Sequence, residues 1–474
     1  MSKSTRRIFS KMLSSTILGL SAAIIYSACT PVSTATPTKT PKPASNSQAK
    51  NVIIFIGDGM GISTITAARI FDGQSQGLKG EEHSLAFEDF DNVALIKTYN
   101  TNAQVPDSAG TATAILSGYK TNIGAVNVRP NEDVKKMVLE SCLLKKSPPT
   151  LTARAKKAGL SVGVISTTRI THATPAAMYG HAVDRGWEMD SEVDPRAAKA
   201  RCKGLATQLL KSPPDITLGG GREKFTQEQL ETWNKKDGHI YVKDADSFRT
   251  APKDQTLLGL FASSHMSYEA DRDDTKEPSL AEMTAFAIDA LSSRETGYVL
   301  MVEAGRVDHA HHGINAYRAL TDMQALNEAV KVAKVKAGDD TLIMVTADHS
   351  HVFTMAGYPV RGNPILGLVR NPNPEEGGAA KDYAKAEDGK PYTTLGYHNG
   401  PNIRGADSPE LTDNLVQAKD YRQQTAVNLS SETHAGEDVP LYATGPGSEN
   451  VRGVMEQDKI YNVMAKAMGW EALQ

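Results

Sequence analysis

The sequence has no surplus of positive charge and very few cysteines. Its 52 Lys and Arg residues are balanced by 55 Asp and Glu residues, so a net charge of −3 leaves no basic excess for the phosphate backbone of nucleic acid, and we expect no nucleic-acid partner. Three cysteines in 474 residues exclude a disulfide-dense miniprotein, and 38 glycines are too few for collagen. A hydrophobic content of 40% excludes disorder throughout the chain. We therefore expect a globular protein with one large domain.

The N-terminus has the pattern of a secretory signal. Four basic residues lie within the first eleven positions and precede an uncharged, mostly apolar stretch, residues 12–28. An uncleaved membrane anchor is the alternative, but this stretch is interrupted by Ser and Gly and is short for a span of about 20 residues. Residues 1–28 are therefore predicted to be a signal peptide, and the protein is predicted to be exported.

The next segment resembles the start of a bacterial lipoprotein. Ser27, Ala28 and Cys29 resemble a cleavage box in which the cysteine becomes the lipidated first residue, although Tyr26 stands where Leu is usual. We predict a lipid anchor on Cys29, which would tether the protein to a bacterial membrane in the periplasm or at the cell surface. Residues 30–50 are rich in Thr, Pro and Ser and lack acidic and aromatic residues, so they cannot bury enough apolar surface to fold. Residues 29–50 are predicted to be a tether, and residues 51–474 the folded domain.

The other two cysteines form a candidate pair. If Cys29 is lipidated or removed, Cys142 and Cys202 remain in an oxidising compartment. A disulfide between them is favoured over two free thiols.

Four short apolar runs predict buried strands. They are residues 52–56, 161–165, 298–302 and 341–345. Their hydrophobicity is continuous rather than alternating, which is typical of strands covered on both faces. Residues 315–336 instead repeat apolar side chains at steps of three and four, which predicts a helix with one apolar face. The predicted fold is an α/β three-layer sandwich, in which helices flank a large, mostly parallel central sheet.

Acidic residues and histidines follow these runs. Because ligands gather where the strands of an open α/β sheet end, we expect these side chains to meet. They are Asp58 in IGDGMG, Glu303, Asp308 and His312 in EAGRVDHAHH, and Asp348 and His349 in TADHSH. A helical turn would direct Asp308 and His312, four residues apart, toward one ion. Mixed Asp and His ligation suits zinc, and the set could hold two close metals of the kind used in phosphoryl transfer.

The remaining histidines carry less information. Single histidines are usually satisfied by hydrogen bonds or by solvent, and we assign that ordinary role to His83, His239, His265 and His398. His434 in SSETHAGEDV is a further candidate ligand.

Ser108 in VPDSAGTATAILSG is the candidate nucleophile. Asp107 can cap a helix over residues 109–116, and a serine at a helix N-terminus faces free N–H groups that favour a bound phosphate. A simple N-cap pair is the alternative. Because Ser108 does not lie in a Gly-x-Ser-x-Gly elbow, we expect a metal rather than a hydrolase triad to activate this serine.

Together these segments resemble the alkaline phosphatase family, most closely its animal-type branch, from about residue 51 nearly to the C-terminus. The resemblance implies that Ser108 is the phosphorylated serine. It implies that Arg185 in YGHAVDRGW grips the substrate phosphate, a task for which a guanidinium fork is suited. His309 matches a residue that contacts phosphate directly or through water.

The resemblance also implies two zinc ions and one magnesium ion per chain. One zinc would be held by Asp308, His312 and His434, and the other by Asp58, Asp348 and His349. The magnesium would be held by Asp58, Thr174 and Glu303, with His172 nearby. His172 and His309 are of the animal-like type, which should loosen the magnesium site and favour an alkaline optimum. The calcium site of animal enzymes is not expected, because Ala262 follows Phe261 where that site needs Glu.

Further expectations follow from the same resemblance. Cys142 and Cys202 coincide with a disulfide of the animal-type enzymes, residues 357–402 resemble the segment around their crown region, and a homodimer is implied. The implied activity is broad hydrolysis of small phosphate monoesters through a covalent phosphoserine. A phosphodiesterase or phosphonate hydrolase with the same two-metal core is one alternative, which Thr174, Glu303 and Arg185 argue against. A tethered protein that binds phosphate or metal without turnover is another.

Overall fold

A sheet of ten strands forms the centre of the molecule. The computed structural model describes residues 48–130, 147–405, 408 and 410–471. The strands in this part of the chain are β1 (Asn51–Gly57), β2 (Asn92–Lys97), β3 (Ser161–Arg169), β4 (Ile216–Gly220), β5 (His239–Val242), β6 (Thr256–Leu260), β7 (Tyr298–Ala304), β8 (Thr341–Ala347), β9 (Ser350–His351), β10 (Phe353–Met355), β11 (Leu395–Gly400), β12 (Thr425–Asn428), β13 (His434–Ala435), β14 (Val439–Thr444) and β15 (Gly453–Glu456).

The helices in the same part of the chain lie mainly between these strands. They are α1 (Ile62–Ser75), α2 (Ser108–Ser117), α3 (Leu151–Lys157), α4 (Ala173–Ala176), α5 (Pro195–Lys199), α6 (Leu205–Lys211), α7 (Gln227–Lys235), α8 (Ala245–Arg249), α9 (Leu280–Ser292), α10 (Arg306–His312), α11 (Ala316–Lys336), α12 (Asp413–Val416) and α13 (Lys459–Ala467).

The strand order of the large sheet is β15-β2-β14-β8-β1-β7-β3-β4-β6-β5. Its neighbouring strands are parallel except where β14 pairs with β2 and β8. The carboxyl ends of β1, β7 and β8 therefore lie side by side at one edge, since β1 pairs with both of the others. This edge is where a ligand site is expected in an open α/β sheet.

The predicted strands and the predicted fold are confirmed. The four apolar runs lie within β1, β3, β7 and β8, and every residue of β1, β7 and β8 is buried. Burial of successive residues means that both faces of these strands are covered, as their continuous hydrophobicity predicted. Helices α1, α9 and α10 pack against α11, and α2 packs against α4 and α13.

The predicted helices are confirmed as well. Helix α11 begins one residue after Asn315, whose side chain accepts a hydrogen bond from the Arg318 backbone N–H and so caps the helix. Helix α2 covers the predicted range 109–116, and Asp107 caps it by accepting from the backbone N–H of Gly110 at 3.1 Å.

Two small sheets lie beside the main one. Strands β10, β11 and β12 form a three-stranded sheet, and β9 pairs with β13. Residues 356–394, most of the predicted crown-like insertion, contain turns and isolated bridges but no helix or strand. The β9–β13 pairing brings His434 opposite His351 although they are distant in sequence.

Several predictions concern residues outside the described part of the chain. The predicted signal peptide, most of the tether, Cys29 and Cys142 all lie there. Among the described helices, none has the length and apolar character needed to span a membrane.

The burial of the central strands predicts that two valine substitutions differ strongly in their effect on the free energy of unfolding. Val345 in β8 is fully buried, whereas Val335 on α11 is 85% exposed. Val345→Ala should lower the free energy of unfolding by about 2 to 3 kcal/mol, because it removes buried apolar surface and leaves a cavity. Val335→Ala, the matched control, should change it by less than about 0.5 kcal/mol. Urea denaturation of both variants measures the difference, and equal effects would contradict the buried position of β8.

Candidate active site

Three buried carboxylates meet at the ends of the central strands. Asp58 follows β1 directly, Asp348 follows β8 directly, and Glu303 is the penultimate residue of β7. All three side chains are shielded from solvent. The turn after β1 is tight, because Gly59 has φ of +71° and a Cβ on it would lie 2.3 Å from the His351 ring. Only glycine fits this turn without displacing that ring.

Helix α10 and strand β13 add the ligand group predicted for the first zinc. Asp308 and His312 lie on one side of α10, as the four-residue spacing predicts, and His434 comes from β13. Asp308 Oδ1 lies 3.4 Å from His312 Nε2 and 3.3 Å from His434 Nε2. The two Nε2 atoms are only 3.1 Å apart.

The protonation of these two rings can be read from their other nitrogens. The Nδ1 atoms of His312 and His434 lie 2.9 Å and 2.8 Å from the backbone oxygens of Glu432 and Pro106. A carbonyl oxygen only accepts hydrogen bonds, so each Nδ1 carries a hydrogen and Nε2 is the nitrogen that each ring directs toward Asp308. Two imidazole Nε2 atoms and one carboxylate oxygen lie within 3.4 Å of one another, which is the donor set and spacing of a metal site. The residues therefore fit a zinc ion.

The second predicted zinc group lies next to the first. His349 Nε2 is 3.4 Å from both Asp58 Oδ1 and Asp348 Oδ2, and its ring stacks on that of His434 at 3.7 Å between centroids. The Nδ1 atom of His349 faces the Ser350 carbonyl oxygen at 3.3 Å, so its Nε2 atom also presents a lone pair. Burial, with the nearby Asp348 carboxylate, raises the pKa of Asp58 well above its usual value. Crowded buried carboxylates of this kind are typical of a cation site.

The predicted magnesium group has unsatisfied oxygen atoms. Asp58 Oδ2, Thr174 Oγ1 and Glu303 Oε1 are buried and have no hydrogen-bond partner in the described part of the chain. The other Glu303 oxygen accepts from Ser166, and burial raises the pKa of Glu303 to about 7. Buried oxygens are normally paired, so three orphans from one predicted ligand set fit a hard cation such as magnesium.

The structure brings Ser108 to the second ligand group. Ser108 is the first residue of α2, and its Oγ lies 3.2 Å from His349 Nε2 and 3.5 Å from Asp58 Oδ1. Arg185 donates from Nη1 to Asp107 at 3.1 Å and from Nη2 to His172 Nε2 at 2.9 Å. Asp107 therefore caps the helix that begins at Ser108 and also binds Arg185, so one carboxylate brings the two residues together.

Three histidine rings form a cluster that reaches Arg185 through His172. The ring centroid of His309 is 5.6 Å from that of His172 and 4.3 Å from that of His265. His265 has the hydrogen-bonded role that we expect of it, since its Nε2 lies 2.6 Å from Arg169 Nη1. Its ring also packs against that of His309, a predicted site residue, and no local sequence pattern indicates this contact.

Two residues near the predicted metal ligands were missed by sequence reasoning. His351 Nε2 lies 2.8 Å from Asp308 Oδ1, and its Nδ1 lies 2.7 Å from Glu432 Oε2. The signal was available, because His351 in TADHSH and Glu432 in SSETH each lie two residues from a predicted ligand, a spacing that puts side chains on one side of an extended chain. In the described ranges, every group of acidic and histidine residues that could hold a cation belongs to this one site.

Known proteins resemble this chain over most of its length. A family model described as alkaline phosphatase matches residues 49–470. The tissue-nonspecific alkaline phosphatase of Gallus gallus is 41% identical over 454 residues, which cover 88% of this chain and 84% of that protein. An alkaline phosphatase of Gadus morhua is 39% identical over 462 residues, covering 89% of this chain and 92% of that one.

Solved structures agree on the fold. The alkaline phosphatase of Thermus thermophilus superposes with a TM-score of 0.65 at 24% identity, covering 90% of this chain and 93% of that one. A cold-active enzyme from Shewanella gives 0.63 at 22% identity, covering 88% and 99%. The clustered acidic and histidine residues and the nearby serine agree with the family model and with the animal relatives. The chain therefore belongs to the alkaline phosphatase family.

Proposed function

We propose that this chain hydrolyses phosphate monoesters to alcohol and inorganic phosphate through a covalent phosphoserine at Ser108. The observation that carries the proposal is the position of Ser108 Oγ, within 3.5 Å of Asp58 and His349 and beside the arginine that Asp107 holds. A protein that only binds phosphate or metal has no need of a hydroxyl at this point.

In the first step the Ser108 oxygen attacks phosphorus. The Ser108 hydroxyl gives up its proton as the Oγ–P bond forms, the P–O bond to the alcohol breaks in line with the attack, and the departing oxygen takes up a proton and leaves as the alcohol. Arg185 donates two hydrogen bonds to nonbridging oxygens of the phosphoryl group, and the Asp107 carboxylate keeps its guanidinium in place for this contact. Ser108 lies at the start of α2, where the helix dipole favours the negative charge of the phosphate.

In the second step water attacks the phosphoserine. The new P–O bond forms to the water oxygen, the Ser108 Oγ–P bond breaks, and the serine oxygen regains a proton. Arg185 holds the same oxygens in both steps. None of the described site residues recognises the alcohol part of the substrate, which accounts for broad specificity.

We assign two zinc ions and one magnesium ion to the three ligand groups. Asp308, His312 and His434 would hold one zinc, and Asp58, Asp348 and His349 the other. Asp58, Thr174 and Glu303 would hold the magnesium, near His172. When bound, these ions supply positive charge that favours the ionised serine and the departing oxygen. Support comes from the convergent Nε2 atoms of the histidines and from the three buried oxygens that lack a hydrogen-bond partner among the described residues.

We also propose the cellular setting of the enzyme. Residues 1–28 form a signal peptide, residues 29–50 a tether anchored through lipidated Cys29, and residues 51–474 one domain with an insertion around 357–402. The composition of residues 1–50 supports export. Cys142 and Cys202 form a disulfide, and two copies of the chain form a homodimer, as the resemblance to the animal-type enzymes implies.

Replacing Ser108 tests the nucleophile. Ser108→Ala should lower the turnover of a nitrophenyl monoester by a factor of about 10³ or more, because no other group can form the covalent intermediate. Mass spectrometry of acid-quenched wild-type enzyme should find phosphate on Ser108. The control is Ser117→Ala in the same helix, where the hydroxyl donates to the Thr113 carbonyl, and it should keep most of the activity. Full activity of Ser108→Ala would show that Ser108 is not the nucleophile. An inactive metal-loaded wild type would favour the alternative of a protein that binds phosphate or metal without turnover.

Replacing Thr174 tests the magnesium ligand by stability. In chelator-treated protein, Thr174→Val should be at least as stable as wild type, because it removes a buried hydroxyl that has no partner. Added magnesium should then stabilise the wild type more than the variant. Thermal unfolding with and without magnesium measures both effects.

Thr113→Val is the matched control for Thr174→Val. Its hydroxyl donates to the Ala109 carbonyl and accepts from the Asn127 backbone N–H. Its loss should cost about 1 to 2 kcal/mol with or without magnesium. If Thr174→Val behaves in the same way as this control, Thr174 is a structural residue and not a ligand.

Substrate preference separates the proposed activity from a phosphodiesterase. A nitrophenyl monoester should be hydrolysed with a much higher kcat/KM than the corresponding diester. The reason is that Arg185 and the metal ions assigned to the site favour a doubly charged phosphate. Arg185→Met should reduce this preference, since a neutral side chain no longer discriminates by charge. A strong preference of the wild type for the diester would overturn the assignment.

A further inference from the structure

Arg306 has an unusual position at the edge of the site. It is the first residue of α10, and its Nη1 lies 2.8 Å from His309 Nδ1. Its guanidinium lies 3.8 Å above the ring of Tyr268. No carboxylate of the described residues forms an ion pair with it, and its Nε is buried without a hydrogen-bond partner. Among the described residues, His309 is thus the side chain that the partly exposed Arg306 guanidinium contacts by a hydrogen bond.

The contact determines where the hydrogen sits on His309. A guanidinium carries only donors and does not lose its proton in proteins, so Nη1 donates and Nδ1 of His309 must accept. A doubly protonated ring would place an N–H against an N–H, which the 2.8 Å distance excludes. The ring is therefore neutral and carries its single hydrogen on Nε2.

The Nε2 atom of His309 lies on the side of the ligand groups. It is 4.0 Å from Asp308 Oδ2, and the side chain of His309 keeps 19% of its surface exposed. The neighbouring His172 ring contacts Arg185, the proposed phosphate grip. Nε2 therefore lies toward Asp308 in the site, whereas Nδ1 faces Arg306.

We propose that Arg306 is a positioning residue that sets the tautomer of His309, so that Nε2–H donates a hydrogen bond to the substrate phosphate. The inference deepens the proposed function and rests on it, because it needs a phosphate at Ser108. The opposite tautomer would direct a lone pair at a phosphate oxygen and repel it. The stack on Tyr268 keeps the guanidinium plane in place, which a flexible lysine ammonium could not reproduce.

The tautomer can be measured directly. In enzyme labelled with ¹⁵N-histidine and kept in phosphate-free buffer, His309 resonances are assigned by comparison with His309→Gln. We expect an unprotonated Nδ1 and a protonated Nε2 in the wild type. Arg306→Met should move the Nδ1 and Nε2 shifts toward a mixture of tautomers, because the donor to Nδ1 is lost.

Arg318→Met is the matched control. Arg318 lies 5.6 Å from the same Tyr268 ring but pairs with Asp271 and Asp420, away from His309. Arg318→Met removes a guanidinium near Tyr268, as Arg306→Met does, and should leave the His309 shifts unchanged.

The effect on phosphate binding is measured by inhibition. The Ki of inorganic phosphate should rise about tenfold in Arg306→Met, the usual size of one hydrogen bond to a charged group. It should stay unchanged in Arg318→Met. In the His309→Gln background, Arg306→Met should have little further effect on Ki, because Arg306 acts through His309. A merely structural Arg306 would give additive losses instead.

Several results would overturn the proposal. A wild-type His309 with its hydrogen on Nδ1 contradicts the tautomer, and unchanged shifts in Arg306→Met remove Arg306 as its cause. Additive changes in Ki, or changed shifts with an unchanged Ki, reject the donation to phosphate. Full activity of Ser108→Ala would instead contradict the proposed catalytic role of Ser108 and would leave the measured tautomer of His309 unaffected. The two failures are therefore distinguishable.

Discussion

The structure depends on the burial of negative charge at the end of the central sheet. Strands β1, β7 and β8 are covered on both faces, so the carboxylates that follow them are shielded from water as well. Buried carboxylates without compensation are costly, and here burial raises the pKa values of Asp58 and Asp348. The clustered carboxylates and histidines are of the kind that could hold metal ions, and bound cations would offset this burial and supply positive charge for phosphoryl transfer.

A second set of contacts orients the groups that face the phosphate. Backbone carbonyls hold the Nδ1 atoms of His312 and His434 and leave their Nε2 lone pairs for a metal. At His172 and His309 an arginine guanidinium instead donates a hydrogen bond to one ring nitrogen, so that nitrogen is the acceptor. The partner of one ring nitrogen therefore decides which nitrogen of each imidazole is left to face the site.

Much of this could be predicted from the sequence. The four apolar runs became β1, β3, β7 and β8, and the helix expected at 315–336 is observed as α11. These predictions succeeded because continuous burial and helical periodicity leave a direct trace in the order of residues. His351, Glu432 and the contact of His265 with His309 were not foreseen, because each depends on segments that are distant in the chain.

The sequence by itself determined the elements and the chemical types of the ligands. Strand ends, the cap at Asp107 and the spacing of Asp308 and His312 are local properties, set by neighbours within a few residues. Only the tertiary structure decided which nitrogen of each histidine faces the site, which oxygens remain unpaired among the described residues, and that Arg306 contacts His309 with no carboxylate of those residues paired to it. Those outcomes depend on distances between segments that are far apart in the chain, and the spacing of residues along a chain does not contain such distances.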